Sequence, residues 1–320
     1  ASFYVWDALF PRKASGEDFL RYYFQTFSFR WLRLDPRAVL AHLPRHVGRD
    51  EVGVVASAVM QAQAEAYGKP RWGDKTPSHA GILDRIFADF PDARVVRIVR
   101  DPRAVVRSFA RMPWAPASLV AGSGLCELER HQVSKHTDRL LQIRMEDLLD
   151  DPRATMAAVL DFVGEPWDDA VLAHHEHLPE PDDLPPVPWF ASARKAPSRL
   201  RPPDWSGWDP VDLRLVEYLN RHTLDAFGYA RAPLAEEPSR WAVFSRWLSD
   251  LPAVGRSMKV TLQAARLSRD AAFFDSQLSK DLFAQVNPAA WSLYPGFEMP
   301  DPPDLPAGWD DDLGVARLAS

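Results

Sequence analysis

The sequence predicts an α/β fold, a parallel sheet flanked by helices, with a helical region before it and a helical appendage after it. Three observations carry this expectation. Two short strand-like runs, ARVVRIVR at 93–100 and LLQIR at 140–144, are each followed by a segment with helical apolar spacing. A further helical segment feeds the first run, and such alternation is the pattern of a parallel sheet. Four Asp-Pro pairs, at 35–36, 101–102, 151–152 and 209–210, stand where helices should begin. Asp suits the N-cap because its carboxylate accepts an orphan backbone N–H, and Pro suits the first helical position because it has no N–H to lose.

Taken in order, residues 15–67 read as wholly helical: one segment from Glu17 to Trp31, one from Pro36, and one from Glu51 to Tyr67 ended by Gly68. Between Pro77 and Phe90 the residues Ile82, Leu83, Ile86, Phe87 and Phe90 fall on one helical face. The β-branched run Val95, Val96, Ile98 and Val99, bounded by Pro91-Asp92, reads as a buried strand. Ala121-Gly122-Ser123-Gly124 reads as a flexible loop, since it follows Pro-rich text and no strand. The second strand leads to a helix over Pro152 to Val163, whose Val159, Leu160 and Val163 suit packing on a sheet. Residues 178–210 are Pro-rich and strandless, too long for a simple connector. A helix over 212–227 is closed by Gly228. Beyond it the composition turns to Trp, Phe, Ser and Pro, with helices expected around 239–250 and 256–286. The expected organisation is therefore an α/β domain over 1–230 and a C-terminal extension over 231–320.

Composition narrows the function. Of 320 residues, 46% are hydrophobic and 26% charged, as in an ordinary folded protein, and no apolar run is long enough for an integral membrane segment. The net charge of −6 provides no global field for nucleic acid, so an anionic ligand must be held by local cations. Cys126 stands alone, which leaves no disulfide framework and no thiolate metal site and fits a reducing compartment; the opening residues do not read as a signal peptide, so the cytoplasm is expected. His174 and His177 are three apart with Glu176 between them and share a face, yet no fourth ligand has suitable spacing, and no metal is expected.

The informative constellation lies between 71 and 108. RWGDKTP, a helix, and RVVRIVRDPRAVVRS place Lys75 in front of the helix and Arg100 just past the strand. In parallel α/β sheets ligands bind outside the carboxyl ends of the strands, so Arg100 is well placed to meet one. Ser108 follows eight positions later on the helix that Asp101-Pro102 opens. A forked, permanently charged donor and a hydroxyl could together grip a phosphate dianion. The mobile ammonium of Lys75 suits another task, following charge onto a bridging oxygen as a bond breaks. Asp74 and His79 flank it as weaker candidates for a base; a carboxylate beside a lysine ionises too readily, and His79 sits at a helix start.

GDKTP followed about twenty residues on by RDPRAVVRS resembles the PAPS-dependent sulfotransferase family, in particular its bacterial and carbohydrate- or tyrosine-modifying branches. The resemblance spans about residues 70–229. It implies a P-loop-type fold, PAPS as sulfuryl donor with PAP as product, no metal, and an acceptor hydroxyl or amine on a small molecule, carbohydrate or peptide. By the same resemblance Arg100 and Ser108 bind the 3′-phosphate, and Lys75 lies near the sulfuryl group. Arg194 and Lys195 are placed like the basic loop that closes over the nucleotide. Met145-Glu146-Asp147-Leu148 is similar to the family's Tyr-Glu-Asp-Leu element, with Met in place of Tyr. The family's strand and glycine-rich 5′-phosphosulfate loop have no match before Lys75, where the glycines are isolated, so the chain is expected to begin beyond that loop. Two rivals stand beside the transferase. One is a non-catalytic binding or assembly protein that has lost the donor loop. The other is a phosphoryl transferase, disfavoured because no Gly-Lys-Ser/Thr loop is found.

Overall fold

The computed structural model describes residues 15–113, 115–133, 135, 138–173, 176, 205 and 207–267, with Tyr4, Asp7, Gln285, Asn287, Ala290, Leu293 and Asp304. The histidines 174, 175 and 177, the pair Arg194 and Lys195, and most of the Pro-rich stretch lie outside the described residues. What is described is a mixed α/β fold, mostly helical, with a small parallel sheet.

The chain opens with α1 (Gly16–Gln25), α2 (Phe27–Arg30), α3 (Pro36–Leu40) and α4 (Val52–Ala66). Ser15 and Asp18 form a reciprocal capping box at the start of α1. The single helix expected from Glu17 to Trp31 is divided at Thr26, whose backbone is extended and whose hydroxyl donates to the Tyr23 carbonyl at 2.7 Å. The hydroxyl thus takes over a helix acceptor and stops the first segment. Phe19, Leu20, Tyr23, Phe24 and Phe29 pack with Val39, Val52, Val55 and Val59 into one apolar core, and Ile82, Ile86 and Phe90 extend it toward the sheet.

The expected helix from Pro77 to Phe90 is a 3₁₀ turn, Pro77–Gly81, followed by α5 (Leu83–Asp89). Then come β1 (Val95–Val99), α6 (Pro102–Phe109), α7 (Leu119–Val133), β2 (Leu140–Arg144), α8 (Met145–Asp150) and α9 (Pro152–Val163). β1 and β2 pair in parallel with Val95 opposite Leu140 and Val99 opposite Arg144. β1 is not the buried strand its apolar run suggests. Val99 is covered but Ile98 is 54% exposed, because a cavity rather than packed side chains runs beside Val95–Ile98.

The Ala121–Gly124 run is helical, inside α7, and its expected reading as a loop fails for a tertiary reason. Ser118 donates to Asp250 at 2.5 Å, and the same carboxylate accepts the Val120 N–H at 2.9 Å. A cap supplied from 130 residues away is invisible to local propensity. The expected helix over 212–227 is α10 (Pro210–Leu219) and α11 (Arg221–Ala226), separated at Asn220, and Gly228 follows at φ 68°. The last described helix, α12 (Arg240–Leu267), runs unbroken through Pro252, where two helices were expected. Its Val243 and Trp247 join Val106, Leu119, Leu215 and Val216 in a second core. All four Asp-Pro pairs begin helices as expected: the carboxylates of Asp35, Asp101, Asp151 and Asp209 each accept a backbone N–H of the first turn.

Candidate functional site

Lys75 stands in the segment between α4 and the 3₁₀ turn. That segment is fastened at its other end by Arg71, which pairs with Glu165 and donates to the Val163 carbonyl at the end of α9 at 2.9 Å. Trp72 meets Phe90 edge-on at 5.6 Å. So held, residues 70–77 form one wall of a cavity of about 920 Å³ whose opposite wall is β1 from Val95 to Ile98. Lys75 is exposed at its rim. Among the described residues its ammonium has no ion-pair partner, and it is free to meet a ligand.

Beside it, Asp74 and His79 form a dyad across the start of the 3₁₀ turn. His79 Nδ1 lies 3.4 Å from the Asp74 carboxylate, which also accepts from the Thr76 hydroxyl at 3.1 Å. Both side chains are mostly covered, and the Tyr4 ring meets the imidazole edge-on at 5.7 Å. Burial pulls the His79 pKa below its ordinary value and favours the neutral ring, opposed by the Asp74 charge. Nε2 is buried without a hydrogen-bond partner among the described residues. A carboxylate within ion-pair range of one nitrogen and an unpartnered second nitrogen could orient the ring for proton transfer.

Deeper along β1, Arg97 donates to Gln142 at 2.9 Å and lies 3.7 Å from Glu129. Burial lowers the pKa of the arginine and raises that of the carboxyl, each partner opposing the change in the other. The cavity floor therefore carries a partly buried ion pair that the sequence did not announce, since Glu129 belongs to α7 and nothing in its spacing points to Arg97. Cys126 stands near this pair. Burial and the Glu129 charge push its thiol up to about 12, which makes it a small apolar group rather than a nucleophile.

Arg100 lies immediately past β1, and Ser108 in the last turn of α6. Arg100 is exposed and Ser108 half-buried, and among the described residues neither side chain is committed to a hydrogen bond or ion pair. Neither is among the residues lining the cavity of Lys75, which reaches along β1 only as far as Ile98. The two arginines of the Arg-Asp-Pro-Arg run have opposite fates. Arg103 is buried, with Nε and Nη2 on the Asp101 carboxylate at 2.9 and 2.6 Å and Nη1 on Glu217 at 2.6 Å and on the Ala230 carbonyl at 2.9 Å. Its guanidinium also sits 4.4 Å from the Trp205 ring centre. Burial works against its charge, but the hydrogen bonds and charges of Asp101 and Glu217 outweigh that and raise its pKa.

The turn carrying Arg100 is clamped from α8, just past β2, as well. The Asp101 N–H donates to Glu146 at 3.1 Å, and Glu146 accepts the Tyr229 hydroxyl at 2.7 Å. Tyr229 is itself covered by the Arg144 guanidinium, 4.7 Å from its ring centre. The Glu146 of the Met-Glu-Asp-Leu element thus fixes the turn. The fit of a 3′-phosphorylated nucleotide can be judged on this donor set, which offers an uncommitted guanidinium and a hydroxyl at the carboxyl end of a parallel strand. These suit a phosphate. No group of three or more His, Cys, Asp or Glu among the described residues is arranged to hold a metal ion.

Residues 20–169 match the family model described as Sulfotransferase family. A protein-tyrosine sulfotransferase of Drosophila melanogaster is 27% identical over 147 residues, which cover 41% of this chain and 30% of that protein. The chain therefore corresponds to under a third of that relative's length. The match takes in Lys75, Arg100, Ser108, the Asp74–His79 dyad and Glu146, and bears out the family resemblance read from GDKTP and RDPRAVVRS.

Proposed function

We propose that this chain, whose residues 20–169 carry the sulfotransferase pattern, holds PAPS at the carboxyl end of β1 and serves sulfuryl transfer to an acceptor hydroxyl or amine. The observation that carries the reading is the division of labour in the Arg-Asp-Pro-Arg run: Arg103 is consumed by buried carboxylates, while Arg100 is exposed and uncommitted one residue past the strand. Arg100 and Ser108 would hold the 3′-phosphate, with Arg194 and Lys195 as the proposed basic cover. When bound, the nucleotide supplies an activated sulfuryl group. Lys75 would place its ammonium against the negative charge that grows on the departing oxygen. His79, beside Asp74, would accept the acceptor's proton at Nε2. The cavity between residues 70–77 and β1 would exclude water around the acceptor. The protein-tyrosine sulfotransferase relative favours a peptide tyrosine hydroxyl as the acceptor.

Thermal unfolding in the presence of PAP, AMP or ATP with Mg²⁺ tests the donor site, because a ligand that binds only the folded chain raises the midpoint. PAP should stabilise and AMP should not. Arg100→Ala should weaken PAP by roughly tenfold or more, since hydrogen bonds to charged groups contribute about 1.5–3 kcal/mol, and Ser108→Ala by about fivefold. Equal responses to PAP and AMP would remove the 3′-phosphate site. No response to either would favour the non-catalytic binding or assembly reading.

A further inference from the structure

α12 presents two different faces. One is fastened to the body: Val243 and Trp247 pack in the second core, Asp250 caps α7, and Arg246 pairs with Asp212 at 2.5 Å. The other carries an apolar stripe in open solvent. Trp241 is 73% exposed, Met258 60% and Leu262 67%, and Phe244, Leu248 and Leu251 are also exposed. These positions follow one another at steps of three, four, three, seven and four, so they form a single line along the helix. Charge beside the line has one sign. Arg240, Arg256, Lys259 and Arg266 are exposed, while the only acid of the helix, Asp250, is buried and engaged. This occurs on a chain whose net charge is −6.

We propose that this face of α12 docks in the interfacial plane of an anionic lipid bilayer, with the aromatic and aliphatic side chains among the acyl chains and the cations against the headgroups. A stripe of Trp, Phe, Leu and Met flanked by Arg and Lys has the chemistry of an interfacial helix. The surface potential of anionic lipids attracts such cations. A partner helix, including a second copy of α12, fits less well. Gly255 leaves a gap in the stripe where a knob is needed, Pro252 interrupts the hydrogen-bond ladder beside it, and a second copy brings like charges together. A fluid surface accommodates both irregularities. No helix among the described residues is long and apolar enough to cross a membrane, so α12 lies on the bilayer and does not span it.

The test is co-sedimentation of the full chain with vesicles of phosphatidylcholine alone or mixed with phosphatidylserine. Binding is expected to the mixed vesicles, weakening as salt rises. Arg256→Glu with Lys259→Glu should reduce partition at least about tenfold, and Trp241→Ser with Leu262→Ser by about as much. Circular dichroism and the thermal midpoint should be unchanged, because all four side chains are exposed. Absence of binding to either vesicle overturns the proposal, as does binding that both variants retain. A concentration-dependent dimer in sedimentation velocity that the serine variant abolishes would also overturn it and assign the stripe to a second copy.

Discussion

Replacing Arg103 by Met removes a charge from a site where three ionised side chains are almost completely shielded from water. The side chains of Arg103, Asp101 and Glu217 are 3%, 5% and 6% exposed. Met keeps much of the volume and the contact with the Trp205 ring, so the change isolates the loss of charge and donors. Asp101 retains its helix-cap bond to the Arg103 N–H at 2.9 Å, and Glu217 retains Arg214 at 2.5 Å and the Ala232 N–H at 2.8 Å. What they lose is four side-chain hydrogen bonds from one guanidinium and its compensating charge. Breaking a buried ion pair by removing one partner costs about 3–5 kcal/mol. For a domain of this size that lowers the unfolding midpoint by roughly 6–20 °C. Urea titration followed by tryptophan fluorescence measures the cost, and Arg103→Lys, which keeps the charge but not the fork, should fall between Met and the parent. A loss below about 1 kcal/mol for Arg103→Met would mean that Asp101 and Glu217 find water or protons when the arginine goes, and the description of this cluster as a sealed network would be wrong.

Other consequences are smaller and equally specific. Gly164 ends α9 at φ 78°, so Gly164→Ala should cost about 1–2 kcal/mol, whereas Gly73→Ala, with nothing within 4 Å of its Cβ, should be nearly neutral in the same urea titration. The His79 pKa, followed by NMR of its ring protons, should lie below 6.5, and Asp74→Asn should lower it further by removing the charge that opposes burial. A group whose folded pKa is depressed in this way stabilises the fold fully above its unfolded value, about 6.5, and that contribution is lost as pH falls through the folded value. His79→Gln should therefore flatten the acid limb of the stability curve; a His79 pKa at or above 6.5 would contradict the buried setting described.

The features legible in the sequence were those fixed by a few adjacent atoms. Each Asp-Pro pair begins a helix because its carboxylate reaches an N–H two or three residues on. β1 was legible because a β-branched run of that length has few alternatives, and β2, with Ile143 its one β-branched residue, from a short apolar run placed ahead of a helix. Where the reading failed, the deciding atom came from far along the chain. Ala121–Gly124 looks like a loop until Asp250 is seen capping it, and 93–100 looks buried until the cavity beside Ile98 is seen. The site followed the same rule. Lys75 was proposed from Lys-Thr-Pro and Arg100 from its place just past the strand, yet nothing local showed that Arg103, flanking the same Asp-Pro, would be drawn into the interior.

That distinction is made by residues 217–230, which come more than a hundred positions later. Glu217 and the Ala230 carbonyl take Arg103 inward, and Tyr229 holds Glu146 against the Asp101 N–H. With Asp101 bonded to Arg103 on one side and to Glu146 on the other, the turn after β1 has little freedom, and the guanidinium of Arg100 is left pointing into water from a rigid base. An arginine held this way loses little on meeting a phosphate, because the backbone beneath it is already ordered. The buried network and the exposed cation are then one device. A chain cut before residue 217 should bind a 3′-phosphate less well even though it retains Arg100 and Ser108, the residues proposed to hold the anion.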